Sequence, residues 1–442
     1  MALRHSLLLV TALLVGCTAA RRQSPAAATM PPPADAVVAT PVSAALGPPT
    51  ATSSPAPSGT TAPAPLPRLD RAFFDRADLV YSSSIGSWPL QDGRYDGQYM
   101  LNYRNSCPAC VQLARAAKIP VISWAVWDTF ADQLNPAGQP GTMTAAQFTA
   151  VIAGLRQTLG AYPFIRFQPN NNGHSFCPES WGVDNLLAMD EEVVRTAGDQ
   201  VQLYEIANEP DLDCGYATTV AGAAIAHYWL QIVPALKKYA RAQGFEIYVG
   251  GPAVTTTNIS DKPDTADIQM IDDFLQTLRS AYDDAASPSY HDADVIPSFV
   301  TFHQYGIEYV NNMGGDSTPL DAIPYYGAFI DTVHASIASI WGDVAPTMKV
   351  VVSEWNVGAE PYAFPEPLSA TYYTQYLQML RCHDVFIANQ FLLAGNNDGM
   401  DMITEAGTNT PYYEAFKTQA LTDPVAIQSR IAVTTPALTM PP

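Results

Sequence analysis

Basic side chains are scarce in this sequence. The 22 lysines and arginines stand against 42 aspartates and glutamates, which gives a net charge of −20 at pH 7. Such a chain repels nucleic acid and anionic membrane surfaces, so we expect neither as a partner, and a neutral substrate is favoured over an anionic polymer. The seven histidines form no ligand cluster. A metal-dependent hydrolase such as a polysaccharide deacetylase is therefore disfavoured, and we expect no metal and no cofactor.

No apolar run in the sequence is long enough to cross a bilayer. The longest near the N-terminus, Leu7 to Val15, has the length of a signal-peptide core. The Leu-Val-Gly-Cys that ends at Cys17 resembles the lipobox of bacterial lipoproteins, which implies that Cys17 carries the lipid anchor and is the only attachment to a membrane. A plain secretory signal cut near Ala19 is the alternative. In both cases we expect an exported protein, at the bacterial cell surface or in the periplasm.

Composition divides the chain into four parts. Residues 1–17 are the predicted signal peptide and lipobox, and residues 18–68 are rich in Ala, Pro, Ser and Thr. Such a stretch buries too little apolar surface to offset chain entropy, which predicts a disordered linker. Residues 69–422 carry the regular patterns of one folded domain, and residues 423–442 predict an irregular tail.

Eight short apolar runs alternate with segments that have the apolar spacing of helices. This alternation predicts a single (β/α)8 barrel, in which parallel strands are surrounded by helices. A doubly wound open sheet is the competing architecture, and the lack of a glycine-rich phosphate loop after the first run disfavours it. The runs are Leu79–Ile85, Pro120–Trp127, Phe164–Gln168, Val201–Ala207, Glu246–Gly251, Phe299–Tyr305, Lys349–Glu354 and Val385–Leu393.

The fourth and seventh runs each lead into a carboxylate. The fourth continues to Glu209 and the seventh ends at Glu354. Because the working residues of such barrels lie at the carboxyl ends of the strands, and strands four and seven face each other across the mouth, the two groups can converge. Two carboxylates that flank one bond are what glycoside hydrolysis requires.

The motifs around these glutamates resemble those of glycoside hydrolase clan A. The stretch YEIANEPDL around Glu209 is closest to families 39 and 79, with family 5 more distant, and the resemblance extends from Arg71 to Leu421. It implies that Glu209 is the general acid/base, that Glu354 is the nucleophile, and that Asn208 contacts the sugar 2-hydroxyl. It also implies retention of the anomeric configuration through a covalent glycosyl-enzyme.

The sixth run ends in a His-Gln-Tyr. His303 and Tyr305 are two residues apart and therefore share one face of a strand. In clan A the tyrosine of such a motif donates a hydrogen bond to the nucleophile, so the resemblance implies that Tyr305 keeps Glu354 ionised. Apolar surroundings and the charge of Glu354 would then raise the pKa of Glu209. The alternative is an ordinary strand end with satisfied polar groups.

Further candidates for sugar binding are amides and aromatic rings. Asn171 and Asn172 follow the third run and can bind hydroxyl groups, although asparagines also form turns. Trp127 ends the second run and Trp355 follows the seventh, and their ring faces can stack on a sugar, although a tryptophan in a barrel more often belongs to the core. The eighth run departs from the clan, because Phe391 stands where many members place a tryptophan, which makes the expected sugar subsite atypical.

Cysteine positions predict one disulfide. Cys177 and Cys214 follow the third and fourth runs, which are neighbours, so we predict that they are bridged. Cys107 and Cys110 have C-x-x-C spacing without a second pair, which favours a disulfide or two plain thiols over a redox or zinc site.

Two functions remain open from the sequence. The first is a retaining glycosidase that acts, as a monomer, on an extracellular oligo- or polysaccharide. The second is a catalytically inactive, glycan-binding lipoprotein with the same barrel. A two-lobed solute-binding lipoprotein is disfavoured because the alternation is continuous.

Overall fold

The computed structural model describes most of the predicted folded domain. It describes residues 66, 68–69, 71–74, 79–85, 108–126, 129–130, 142–167, 182–214, 218–257, 259, 266–358, 364–394, 400–404 and 407–422. The predicted signal peptide, the lipobox with Cys17, almost all of the linker and the C-terminal tail lie outside the described residues. Leu66 and Leu69 are both buried, and the predicted boundary at residue 69 stays a prediction.

Eight parallel strands close into a barrel in chain order. The first strand pairs with the second and with the eighth, where Val80 lies opposite Ile387. The predicted (β/α)8 barrel is therefore confirmed. The strands are β1 Val80–Ile85, β2 Val121–Val126, β3 Tyr162–Phe167, β4 Leu203–Ile206, β5 Tyr248–Val254, β6 Phe299–Tyr305, β7 Lys349–Asn356 and β8 Ile387–Ala394.

One short helix precedes the first strand, and the other helices follow strands and surround the barrel. The helices are α1 Arg71–Phe74, α2 Pro108–Ala117, α3 Ala145–Ala153, α4 Val183–Ala197, α5 Pro210–Asp213, α6 Thr218–Ala242, α7 Ala266–Asp283, α8 Gly306–Met313, α9 Ala322–Trp341, α10 Glu366–Cys382 and α11 Pro411–Thr422. Gly154–Leu159 is a π-helical turn, and Gly198–Gln200, Ala293–Val295 and Pro319–Asp321 are 3-10 turns. Outside the barrel, Thr129–Phe130 pairs with Thr142–Met143. Within the described residues, no helix combines the length and apolarity that a membrane span requires.

The barrel interior is apolar at its amino-terminal end. Side chains on each strand alternate between the interior and the surrounding helices. One inward set forms a core with Phe73 and Phe74 of α1, which closes this end of the barrel. Gly250 is required there, because a Cβ at this position would lie 2.0 Å from the ring of Phe299. The amino-terminal end of the barrel interior is thus filled by apolar side chains.

The other end of the interior is polar. Buried polar side chains replace the apolar ones towards the carboxyl ends of the strands: Ser82, Ser84, Arg166, Glu205, Thr301, His303, Glu354 and Asn389. Asn389 illustrates how they are satisfied, since its amide accepts from Ser82 and donates to Ser84 and to the carbonyl of Ser353. The fold therefore concentrates hydrogen-bonding groups beneath the barrel mouth.

Candidate active site

Glu209 stands on a tight turn directly after β4. Ala207 and Glu209 both adopt left-handed backbone conformations, with φ of 71° and 42°. Such conformations cost roughly 1–2 kcal/mol for residues with a Cβ, so surrounding contacts must hold them. The backbone N–H of Glu209 donates to the carbonyl of Ala253 at 2.8 Å, and the carboxylate of Asp211 accepts from the N–H and hydroxyl of Thr255. The turn is thus fixed to the end of β5 and presents Glu209 at the mouth.

Glu354 lies on β7 in a more enclosed position. Its side chain is 9% exposed, compared with 19% for Glu209. The hydroxyl of Tyr305 donates to Oε2 at 2.6 Å, and Arg166 donates to Oε1. Burial alone would raise the pKa of Glu354, but the charges of His303 and Arg166 and the hydrogen bond from Tyr305 outweigh it and lower the pKa. The predicted contact between Tyr305 and Glu354 is therefore confirmed.

His303 links the two glutamates. Its Nδ1 lies 2.7 Å from Oε1 of Glu209 and 3.4 Å from Oε2 of Glu354. Burial opposes protonation of the ring, but the charge of Glu354 and the hydrogen bond to Glu209 raise the pKa of His303 above its usual value. One oxygen of each glutamate and this nitrogen all lie within 4.8 Å of one another. The two carboxylates are therefore neighbours, and the separation of about 5–5.5 Å between the carboxyl groups of a retaining pair stays a prediction.

The same three side chains have the spacing of a possible metal site, but their other contacts do not fit one. Both oxygens of Glu354 already accept hydrogen bonds, from Arg166 and from Tyr305. A cation at this point would compete with these donors for the same lone pairs and would face the positive guanidinium. The site is arranged to stabilise an ionised carboxylate through hydrogen bonds.

Arg166 is a central residue of the site to which sequence reasoning assigned no role. Its Nε donates to Glu205 at 2.7 Å, and its Nη1 donates to Asn208 at 2.7 Å as well as to Glu354. Burial would lower the pKa of this guanidinium, but the charges of Glu354 and Glu205 raise it. The sequence did offer a signal for this role, because Arg166 is a charged residue within an otherwise apolar run. A buried arginine requires carboxylate partners.

The prediction that Trp355 stacks on a sugar is wrong. The indole is fully buried and packs against Tyr373 and Tyr376, with ring centroids 4.7 and 4.9 Å away. Because Glu354 faces the barrel interior, the next residue on the strand faces the helices. Trp355 therefore belongs to the core between β7 and α10.

Phe391 and Asn208 lie beside the paired glutamates. The ring of Phe391 is partly exposed and meets that of Tyr305 edge-to-face, with centroids 6.5 Å apart. It therefore borders the site at the place where the sequence departs from clan A. Asn208 is buried, and its side-chain oxygen accepts from Arg166. This bond fixes the amide next to Glu209, and its contact with a sugar hydroxyl stays a prediction.

Other predicted positions lie outside the described residues. These are Trp127, Asn171, Asn172, Cys107 and Cys177. The bridge between Cys177 and Cys214 therefore stays a prediction, as do the roles of the tryptophan and the two asparagines.

Comparison with solved structures identifies the class of fold. A glucosidase from Croceicoccus marinus is 15% identical with a TM-score of 0.52, and the match covers 76% of this chain and 65% of that one. A monomeric β-xylosidase from Caulobacter crescentus is 14% identical with a TM-score of 0.50, covering 80% and 69%. The chain thus spans about two thirds of each neighbour's length. At these identities the likeness shows a shared barrel fold, as the resemblance to clan A implied. No family model and no curated protein matches the sequence.

Proposed function

We propose that this protein is a retaining glycoside hydrolase, with Glu354 as nucleophile and Glu209 as general acid/base. The observation that carries the proposal is the pair of carboxylates at the ends of β4 and β7, which lie close together in unequal surroundings. The glycosidase activity named for both fold neighbours supports the same class of reaction.

The unequal surroundings assign the two roles. Glu354 accepts hydrogen bonds from Arg166 and Tyr305, and the lowered pKa keeps it ionised, as a nucleophile must be. Glu209 is the more exposed of the two, and His303 is its hydrogen-bond partner. It can therefore reach a leaving oxygen at the mouth and exchange its proton with solvent.

The reaction then proceeds in two steps. Glu354 attacks the anomeric carbon while Glu209 gives its proton to the departing glycosidic oxygen, which leaves a covalent ester between the sugar and Glu354. In the second step Glu209 takes a proton from water, the water oxygen attacks the anomeric carbon, and Glu354 is released as a carboxylate. Both displacements invert the carbon, so the product retains its configuration. We expect a bell-shaped pH profile, with Glu354 setting the acidic limb.

Azide rescue tests the assignment of roles. Glu209→Ala should still form the glycosyl-enzyme from aryl glycosides with good leaving groups, because these need little protonation. Azide should then accelerate the second step and yield a glycosyl azide of retained configuration. The matched variant Glu354→Ala should lose the first step, and any azide product should have inverted configuration. Lack of rescue in Glu209→Ala, or an inverted product from it, would refute the roles. Glu354→Gln should bind glycans without turnover, whereas a wild-type protein that only binds would favour the inactive alternative.

The proposed substrate is a neutral glycan. The net charge of −20 disfavours anionic polymers, and the fold neighbours make aryl glucosides and aryl β-xylosides the first compounds to assay. We further propose that the protein acts as a monomer.

The proposed location is outside the cytoplasm, with Cys17 as lipid anchor. Cys17→Ser should abolish incorporation of labelled palmitate and release the protein from the membrane fraction. Incorporation that persists in this variant would contradict the anchor.

A further inference from the structure

Glu205 is a third carboxylate beneath the site. It lies on β4, is fully buried, and points into the polar part of the barrel interior. Its Oε2 accepts from Nε of Arg166 at 2.7 Å, while its Oε1 has no hydrogen-bond donor among the residues that the structure describes. A buried carboxylate with one unsatisfied oxygen is costly, so its charge calls for an explanation beyond packing.

The guanidinium of Arg166 is shared between two carboxylates. Its Nε faces Glu205, and its Nη1 faces Glu354. The side chain of Arg166 is 3% exposed, and those of Glu205 and Glu354 are 0% and 9% exposed. Solvent therefore screens these three charges only weakly. One guanidinium therefore faces two carboxylates, while His303 and Tyr305 face Glu354 from β6. The negative charge of Glu205 offsets part of the attraction that Arg166 would otherwise exert on Glu354.

We propose that Glu205 is a positioning residue that holds Arg166 in place and limits how strongly the guanidinium stabilises the charge of the nucleophile. A nucleophile held too tightly as a carboxylate is a weaker attacking group, so this sharing keeps Glu354 both ionised and reactive. The proposal rests on the function proposed above. It gives Glu205 no contact with the substrate, and its effect reaches the reaction only through Arg166.

The variant Glu205→Gln separates charge from orientation. Glutamine has the same length and retains an oxygen that can accept from Nε of Arg166, but it carries no charge. The full attraction of Arg166 should then act on Glu354 and lower its pKa. We expect the acidic limb of the kcat/KM profile to move down by about one pH unit, the usual scale for one nearby charge. The covalent step at neutral pH should slow, because the nucleophile becomes less basic.

Two further variants serve as controls. Asp294→Asn removes the carboxylate from a more exposed pair with Arg241, at the amino-terminal end of the barrel. This variant should leave the acidic limb of the kcat/KM profile unmoved. Glu205→Asp keeps the charge but withdraws the carboxylate by one methylene. It should reduce kcat while the acidic limb stays close to that of the wild type. This second variant tests the charge argument even if the glutamine variant does not fold.

Titration of Glu354 by carbon-13 NMR supplies a readout that needs no turnover. In glutamate-Cδ-labelled protein the signal of Glu354 is assigned by its loss from Glu354→Gln. A downward shift of this titration in Glu205→Gln supports the inference. A Glu354 titration that is unmoved or raised in Glu205→Gln contradicts the inference. An acidic limb of kcat/KM that moves down as far in Glu205→Asp as in Glu205→Gln contradicts it as well. A wild-type protein that turns over no glycoside, but shows the NMR shift, contradicts the proposed function and leaves the electrostatic role of Glu205 standing.

Discussion

The hydrogen bond from Tyr305 to Glu354 should set the acidic limit of activity. Tyr305→Phe removes the hydroxyl that donates to Oε2 at 2.6 Å and keeps the ring that meets Phe391. A hydrogen bond to a charged group contributes about 1.5–3 kcal/mol. Because one pKa unit corresponds to about 1.36 kcal/mol, the pKa of Glu354 should rise by about 1–2 units.

The sign of this change can be read directly from a pH profile. The pKa of Glu354 lies below its usual value in the folded protein, and the loss of a donor moves it upward. The acidic limb of kcat/KM for an aryl glycoside should therefore shift to higher pH by the same amount, while the basic limb stays in place. Tyr376→Phe is the matched control, since it removes a buried hydroxyl that donates to Gln304 on the outer side of the barrel. A limb that is unchanged in Tyr305→Phe, or that shifts equally in the control, would refute the argument.

Three further predictions concern stability and can be measured by urea unfolding. Gly250→Ala should destabilise by about 1–3 kcal/mol, because the added methyl overlaps the Phe299 ring, and an unchanged midpoint would contradict the packing. Trp355→Ala should cost about 3–5 kcal/mol as a core truncation, whereas a surface platform would cost little. Burial raises the pKa of Asp190 well above its usual value, although the hydrogen bond from Tyr228 opposes this rise. The contribution of Asp190 to stability is therefore fully present below the ordinary carboxyl pKa and is lost as pH rises through the raised pKa. Asp190→Asn should remove this loss, and an identical pH dependence in both proteins would contradict it.

The barrel could be predicted because it depends on local patterns. Each predicted run overlaps an observed strand, and the ends differ by a few residues. Placing Glu209 and Glu354 at the ends of β4 and β7 was sufficient to bring them together, because parallel strands in a barrel direct their carboxyl ends to one face. The two-residue period of β6 placed His303 and Tyr305 on one face, and the resemblance to clan A implied the contact of Tyr305 with Glu354. Both side chains contact the paired glutamates.

The rest of the site depends on contacts between distant segments. Arg166 meets Glu205 across 39 residues and Glu354 across 188, and no local pattern specifies either contact. The error at Trp355 was of a different kind. Its position next to a catalytic candidate suggested a role, yet strand alternation already required its side chain to face away from Glu354.

Covalent trapping tests the central claim most directly. The protein is incubated with the 2-deoxy-2-fluoro analogue of its best aryl glycoside, and the labelled peptide is identified by mass spectrometry. The account predicts one fluorosugar per protein, attached to Glu354, and no labelling of Glu354→Gln. A label on Glu209, or steady turnover of the parent glycoside with inverted product and no trapped intermediate, would contradict it.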